Sequence, residues 1–324
     1  MKLVIHAGRS KTGTSFLQSV LALNEMFLEK NGLHYPKLRS ATEMAARGLP
    51  TAGNAVLLAI LLTKGGVLPS DVNEKIIMDD LVNCFKENSN KHVILSSELF
   101  EQLNLEGLEK LKEIAAGAGR ELFFVQYIRN PVDSLESVYA QSVKRHGVTL
   151  DPFEYVLSLR MWAVRYHLFL ENLTEMDISF VAKVYDKNHF VGNKIEVDFF
   201  SSLDLDSEFN SSEILLPPIP VNVTPSKFGL RVLRECNLLG SGLSYYDANT
   251  AAVLKVDEAL GLRKGVFTNE IKEYIIRHSQ KNMDVLVEKF GLPKFTYDKI
   301  EQKFDNSVSF ERYKFLYQQA RFTS

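Results

Sequence analysis

A chain of 324 residues with 45% hydrophobic and 24% charged side chains has the means to bury a large core. Its formal net charge of −2 argues against broad nucleic-acid binding, so any basic cluster should serve a local anionic ligand. Its 2 cysteines, Cys84 and Cys236, lie far apart and its 7 histidines show no paired-ligand spacing, so reduced thiols and no metal site are expected.

Leu3, Val4 and Ile5 form a short apolar run, as expected of a buried parallel strand near 2–6. Because the chain begins on this strand, no signal peptide is expected. Residues 8–15 follow as Gly-Arg-Ser-Lys-Thr-Gly-Thr-Ser. The spacing Gly8-x4-Gly13 followed by Thr14-Ser15 fits a phosphate-cradling P-loop, but threonine stands where a nucleotide kinase carries its lysine. The cation is instead Lys11. Such a loop still offers backbone N–H groups and a helix N-terminus to an anion, yet places no ammonium on β- and γ-phosphates. Phe16, Leu17, Val20, Leu21, Phe27 and Leu28 then recur at helical spacing, and Gly32 ends the predicted helix.

A short strand is predicted at 33–35. The apolar run 55–62 is too short to span a bilayer and reads as a buried helix. A strand at 92–96 runs into Ser96-Ser97-Glu98. The next apolar run, 122–128, leads directly to Arg129-Asn130-Pro131, where proline suits the first helical position. The helix predicted over 131–145 has an apolar face of Val132, Leu135, Val138 or Tyr139, and Val143, which can meet the sheet. Its polar stripe holds Asn130, Asp133 or Ser134, Ser137 and Gln141. Arg129, at the carboxyl end of a strand, stands where α/β folds bind ligands, and Ser137 is one turn into the helix.

Lys11-Thr12-Gly13-Thr14-Ser15, followed by Phe16-Leu17-Gln18, resembles the 5′-phosphosulfate loop of sulfotransferases that use 3′-phosphoadenosine 5′-phosphosulfate (PAPS). Arg129-Asn130-Pro131-Val132-Asp133, with Ser137, Tyr139 and Gln141, resembles their 3′-phosphate motif. The stretch Asn31-Gly32-Leu33-His34-Tyr35-Pro36 and the Ser96-Ser97-Glu98 turn are similar to the bacterial branch linked to polysaccharide or lipopolysaccharide sulfation. The likeness covers the first half and loosens beyond about residue 205. It implies PAPS as donor and the released 3′-phosphoadenosine 5′-phosphate (PAP) as product. It also implies cofactor contacts from Lys11, Thr12, Gly13, Thr14, Ser15, Arg129 and Ser137, without a metal.

Sulfuryl transfer needs alignment and electrostatic stabilisation more than covalent help. The resemblance puts Lys11 against the oxygen bridging sulfur and phosphorus. No Walker-B-like aspartate ends a strand, and Glu98 is the only carboxylate that could hold a kinase's Mg²⁺ there. Glu98 suits the role of general base toward an acceptor hydroxyl or amine, with His34 and His6 in reserve; it could equally favour a helix start capped by Ser97.

The remaining prediction is a strand over 178–185, a long connection over 204–225, a helix from Pro225 at its first position to Leu239 closed by Gly240-Ser-Gly242, and helices over 246–262, 268–290 and 307–320. These elements give one α/β sulfotransferase-like domain over 1–324. Its core (1–203) is a P-loop-type parallel sheet flanked by helices, and 204–324 is mainly helical. Arg263-Lys264-Gly265 is similar to a 3′-phosphate tripeptide of cytosolic sulfotransferases, but such a tripeptide also arises at a helix end. Trp162 suits either core or the wall of an acceptor-sugar site. A cytoplasmic enzyme acting on a small-molecule or glycan acceptor follows, so Asn172, Asn210 and Asn222 are not expected to carry glycans. A Mg²⁺-dependent kinase or nucleotide hydrolase, or a non-catalytic PAP- or glycan-binding relative, would share the loop. Acceptor and oligomeric state are left open by the sequence.

Overall fold

The apolar runs Lys2–His6 (β1), Leu33–His34 (β2), His92–Ser96 (β3), Glu121–Ile128 (β4) and Ser179–Val184 (β5) join into one five-stranded sheet in the order β2-β3-β1-β4-β5. Every pairing is parallel. The central strands read as nearly unbroken Val, Ile, Leu and Phe because a parallel sheet is covered on both faces. The computed structural model describes residues 1–8, 11–39, 42–49, 51–159, 164–203, 209–217, 224–240, 246–262, 265–297 and 309–322. Arg9, Ser10, Trp162, Asn222, Ser241, Gly242, Arg263, Lys264 and much of the 204–225 connection lie outside the described residues. The fold is α/β, an all-parallel sheet flanked by helices with a helical C-terminal half.

The chain forms two compact units. One comprises Met1–Arg129, Tyr166–Val221 and Val285–Lys294; the other comprises Asn130–Arg165, Asn222–Asp284 and Phe295–Ser324. In the first, Val4, Ile94, Val125 and Tyr127 meet Leu17, Val20 and Leu21 of the helix Thr14–Leu23 and Phe199 and Phe200 of the helix Ile195–Ser201. Each such side chain contributes about 1.5–3 kcal/mol by leaving water. On the opposite face Phe124 packs edge-on against Phe169 of the helix Tyr166–Glu175, with ring centroids 5.7 Å apart. The helix Leu105–Gly117 packs against β4 and buries Leu108, Leu111 and Ala115.

Two local expectations are corrected. The helix predicted to run unbroken to Gly32 is two helices, Thr14–Leu23 and Glu25–Lys30, interrupted at Asn24. The buried Asn24 amide accepts from Leu215 N (2.8 Å) and donates to Leu215 O (2.8 Å), pinning the break to a segment 191 residues away. Pro225 does not occupy the first helical turn. Ser226 caps the helix Lys227–Leu238 by accepting from Gly229 N at 3.2 Å.

In the second unit the helix Pro131–His146 starts as the sequence implies, with the Asn130 side chain accepting from Val132 N at 2.8 Å and Pro131 in the first turn. Of the two candidates for its apolar face, Tyr139 is buried and Val138 is half-buried; the Tyr139 ring packs against Tyr155 and Phe267. Glu136 on the same helix accepts the backbone N–H groups of Val266 and Phe267. Asp257 is buried but satisfied, accepting from Ser226 N (2.7 Å), Ser226 Oγ (2.6 Å) and Tyr313 Oη (2.7 Å), and desolvation raises its pKa.

Candidate anion-binding site

β1 ends level with β3, His6 pairing with Ser96, while β4 runs on from Val125 beside His6 to Ile128. From β1 the chain turns toward β2 and β3, whereas from β4 it turns toward β5. The carboxyl ends of β1 and β4 therefore flank a topological switch point, where open α/β sheets bind ligands. The glycine loop leaves β1 at this point, and Arg129 leaves β4 there.

Both glycines have steric reasons. A Cβ on Gly8 would fall 2.2 Å from Thr14 Oγ1, and one on Gly13 would fall 2.8 Å from the Tyr185 ring. Gly13 caps the helix Thr14–Leu23 in the left-handed region (φ 75°), and its carbonyl accepts from Leu17 N at 2.9 Å. Lys11 is also left-handed, at φ 76°. A lysine there carries a backbone penalty of about 1–2 kcal/mol, which marks a loop held in shape from outside. Left-handed residues beside right-handed ones turn backbone N–H groups toward one side, as an anion requires.

The outside hold comes from Arg129. Its Nη1 donates to the Lys11 carbonyl at 3.0 Å, and its guanidinium lies 5.6 Å from the centre of the Tyr185 ring. Tyr185 follows β5, and its N–H donates to Ile128 O at 2.7 Å, so β5 fixes the ring against both Arg129 and Gly13. Burial raises the Tyr185 pKa and the arginine partly opposes that rise, so the phenol stays protonated. Lys11 itself is half-buried, and Thr12 and Thr14 are buried.

Beneath the loop lies a chain of polar groups that runs from the half-buried Thr51 into the interior. Thr51 Oγ1 donates to Gln18 Oε1 (3.1 Å), Gln18 Nε2 donates to Ser96 Oγ (3.1 Å), and Ser96 Oγ pairs with His6 Nδ1 (3.0 Å). Asn54 Oδ1 accepts from Ser96 N at 2.8 Å, and a Cβ on Gly53 would fall 1.9 Å from Ser96 O, so residues 51–55 press against the end of β3. His6 is fully buried, and desolvation lowers its pKa to about 4. Here His6 Nε2 and Thr14 Oγ1 have no hydrogen-bond partner among the described residues.

Glu98 is half-buried and opens the short 3₁₀ helix Glu98–Gln102, which Ser97 caps by accepting from Leu99 N at 3.3 Å. Ser97 N also donates to His6 O at 3.3 Å, so Glu98 and the loop leave the same edge of the sheet. His34 is placed elsewhere: it pairs with Val93, in the row of Leu3, three residues short of the His6–Ser96 row. Its Nδ1 is 3.2 Å from Glu29 Oε1, in a cluster that also holds Lys91. Lys11, Thr12, Gly13, Thr14, Ser15, Glu98 and Arg129 all belong to the first unit, and Ser137 sits half-buried in the second.

Tyr185, Gln18 and Thr51 were not singled out by role in the sequence. Tyr185 carried a usable signal, standing at the carboxyl end of the strand predicted over 178–185. The chain matches no known family model, and no curated protein matches it.

Proposed function

We propose that this chain is a PAPS-dependent sulfotransferase that moves a sulfuryl group to a hydroxyl of a carbohydrate acceptor and releases PAP. The observation that carries the reading is the junction of Arg129 with the Lys11 carbonyl, which joins two motifs 118 residues apart. The fit of a phosphosulfate to the loop is supported by the missing Cβ atoms of Gly8 and Gly13 and by the unpartnered Thr14 hydroxyl. Lys11 meets the charge that builds on the bridging oxygen as its bond to sulfur breaks. Glu98 takes the acceptor's proton as the acceptor oxygen bonds to sulfur. Arg129 answers the 3′-phosphate with charge-assisted hydrogen bonds, and Ser137 is carried in the proposal by the motif alone.

The proposal includes cytoplasmic action. It is supported by Cys84 and Cys236, both buried thiols. Among the described residues no helix is long and apolar enough to cross a membrane. Thermal shift with PAP, with ATP and Mg²⁺, and without ligand, followed by PAPS turnover against a glycan panel, tests the whole reading. PAP stabilisation with turnover is the expected result. Stabilisation by ATP and Mg²⁺ but not PAP would make the chain a kinase-like protein, and PAP binding without turnover on any acceptor a non-catalytic relative.

A further inference from the structure

We infer that His6 is a positioning residue of the anion site, donating a hydrogen bond from Nε2–H to an oxygen of the anion cradled by the loop. The inference rests on the sulfotransferase reading for the identity of that anion, and on the buried network for the donor.

The network fixes the tautomer. Thr51 donates to Gln18 Oε1, which orients the amide so that Gln18 Nε2 donates to Ser96 Oγ. Ser96 is fully buried and its hydroxyl has one proton to give. If His6 Nδ1 also donated to Ser96 Oγ, the serine proton would be left without an acceptor, at a cost of about 1–3 kcal/mol. The Ser96 hydroxyl is satisfied as both donor and acceptor only when it donates to His6 Nδ1. The imidazole proton then sits on Nε2. The lowered pKa agrees, since a ring buried this deeply stays neutral.

That proton has no acceptor among the described residues. A Cβ on Gly8 would fall 3.1 Å from His6 Nε2 and 2.2 Å from Thr14 Oγ1, so both unpartnered atoms border the same small space beside the first loop glycine. Two buried polar groups on one spot call for an oxygen that can accept from both. A phosphate or sulfate oxygen held by the loop meets that need. Donors already dry and fixed in place bind an anion without reorganisation.

The test is nitrogen-detected NMR on the full, isotope-labelled chain, with the His6 resonances assigned from their loss in His6→Gln. Without ligand the proton should be on Nε2, and PAP should move Nε2–H downfield. Titrated PAP should bind His6→Asn, which keeps a donor only near the Nδ1 position, about tenfold more weakly or worse. His6→Gln, which returns an N–H near Nε2, should bind within about threefold of wild type. Inorganic pyrophosphate, titrated in parallel, separates the two ideas. If PAP leaves the protein unchanged but pyrophosphate moves Nε2–H, the PAPS reading fails and the role of His6 stands. A proton found on Nδ1, or an Nε2–H that neither anion moves, overturns the inference even if His6→Asn does not fold.

Discussion

The Arg129 guanidinium donates to the carbonyl oxygen of Lys11 at 3.0 Å, so the side chain that closes β4 holds the backbone of the residue proposed to supply the ammonium. Lys11 is left-handed at φ 76°, a conformation a lysine adopts only when its surroundings impose it. On the proposed reading the two residues act together: one supplies a charge, and the other supplies the geometry that aims it.

Replacing Lys11 separates charge from backbone strain. Lys11→Ala and Lys11→Gly should both lose turnover by at least about 100-fold, because neither meets charge on the leaving oxygen. They should differ in stability. Glycine adopts the left-handed conformation freely, so Lys11→Gly should match or exceed Lys11→Ala by about 1 kcal/mol in urea unfolding. Turnover near wild type in either variant would sink the role given to Lys11.

The sequence made the central strands legible because a covered parallel sheet demands continuous Val, Ile, Leu and Phe, and 2–6, 92–96 and 122–128 meet that demand. Asn130-Pro131 was equally readable, since cap and first-turn chemistry are local. The break at Asn24 was not. Helical periodicity continues through Phe27 and Leu28, and the interruption depends on Leu215, far along the chain. The same limit applies to the site. Loop and arginine were visible as separate motifs, but the bond between them and the Thr51–Gln18–Ser96–His6 chain exist only once β1, β3 and β4 are in register. A polar residue finishing an apolar strand, as His6 and Ser96 both do, was a hint to that chain.

Glu98 leaves the same sheet edge as the loop, and its neighbour Ser97 both caps the 3₁₀ helix and bonds to His6 O. Glu98→Gln preserves size and hydrogen bonding but cannot accept a proton. Turnover should fall about 10²–10⁴-fold, with PAP affinity nearly unchanged. Steady-state rates combined with calorimetry check both halves. Full activity in Glu98→Gln would pass the proton to solvent, since His34 is paired with Glu29 three rows away and His6, with Nδ1 engaged by Ser96 and its proton on Nε2, has no lone pair to offer.

Acid should weaken the fold through His6. Its pKa is about 4 in the folded chain against 6.5 for an ordinary histidine, because burial disfavours the charged ring. The unfolded chain thus binds the proton first as pH falls. The stability this group contributes is complete above pH 6.5, is lost between pH 6.5 and 4, and changes no further below that. The loss amounts to about 3 kcal/mol. Urea unfolding of wild type and His6→Gln across this interval isolates it from the other histidines: wild type should lose more stability than the variant by about that amount. Parallel curves would mean that His6 is not held neutral by burial.

The last prediction follows from the two tasks of Arg129. As the proposed ligand for the 3′-phosphate it would contribute hydrogen bonds to a charged group, each worth about 1.5–3 kcal/mol, so Arg129→Ala should weaken PAP binding by at least about tenfold. As the donor to the Lys11 carbonyl it also shapes the loop, so the variant should lose affinity for AMP, which has no 3′-phosphate, though by less. The informative quantity is the coupling between the two losses. In wild type, exchanging PAP for AMP should be costly; in Arg129→Ala the same exchange should cost much less, because the partner of the 3′-phosphate is already gone. Calorimetry of both ligands on both proteins gives the four affinities. Simple additivity, with AMP and PAP losing affinity equally, would confine Arg129 to holding the loop and remove it from the 3′-phosphate. AMP binding unchanged by the substitution would do the opposite, showing that the bond to Lys11 is dispensable for the shape of the loop.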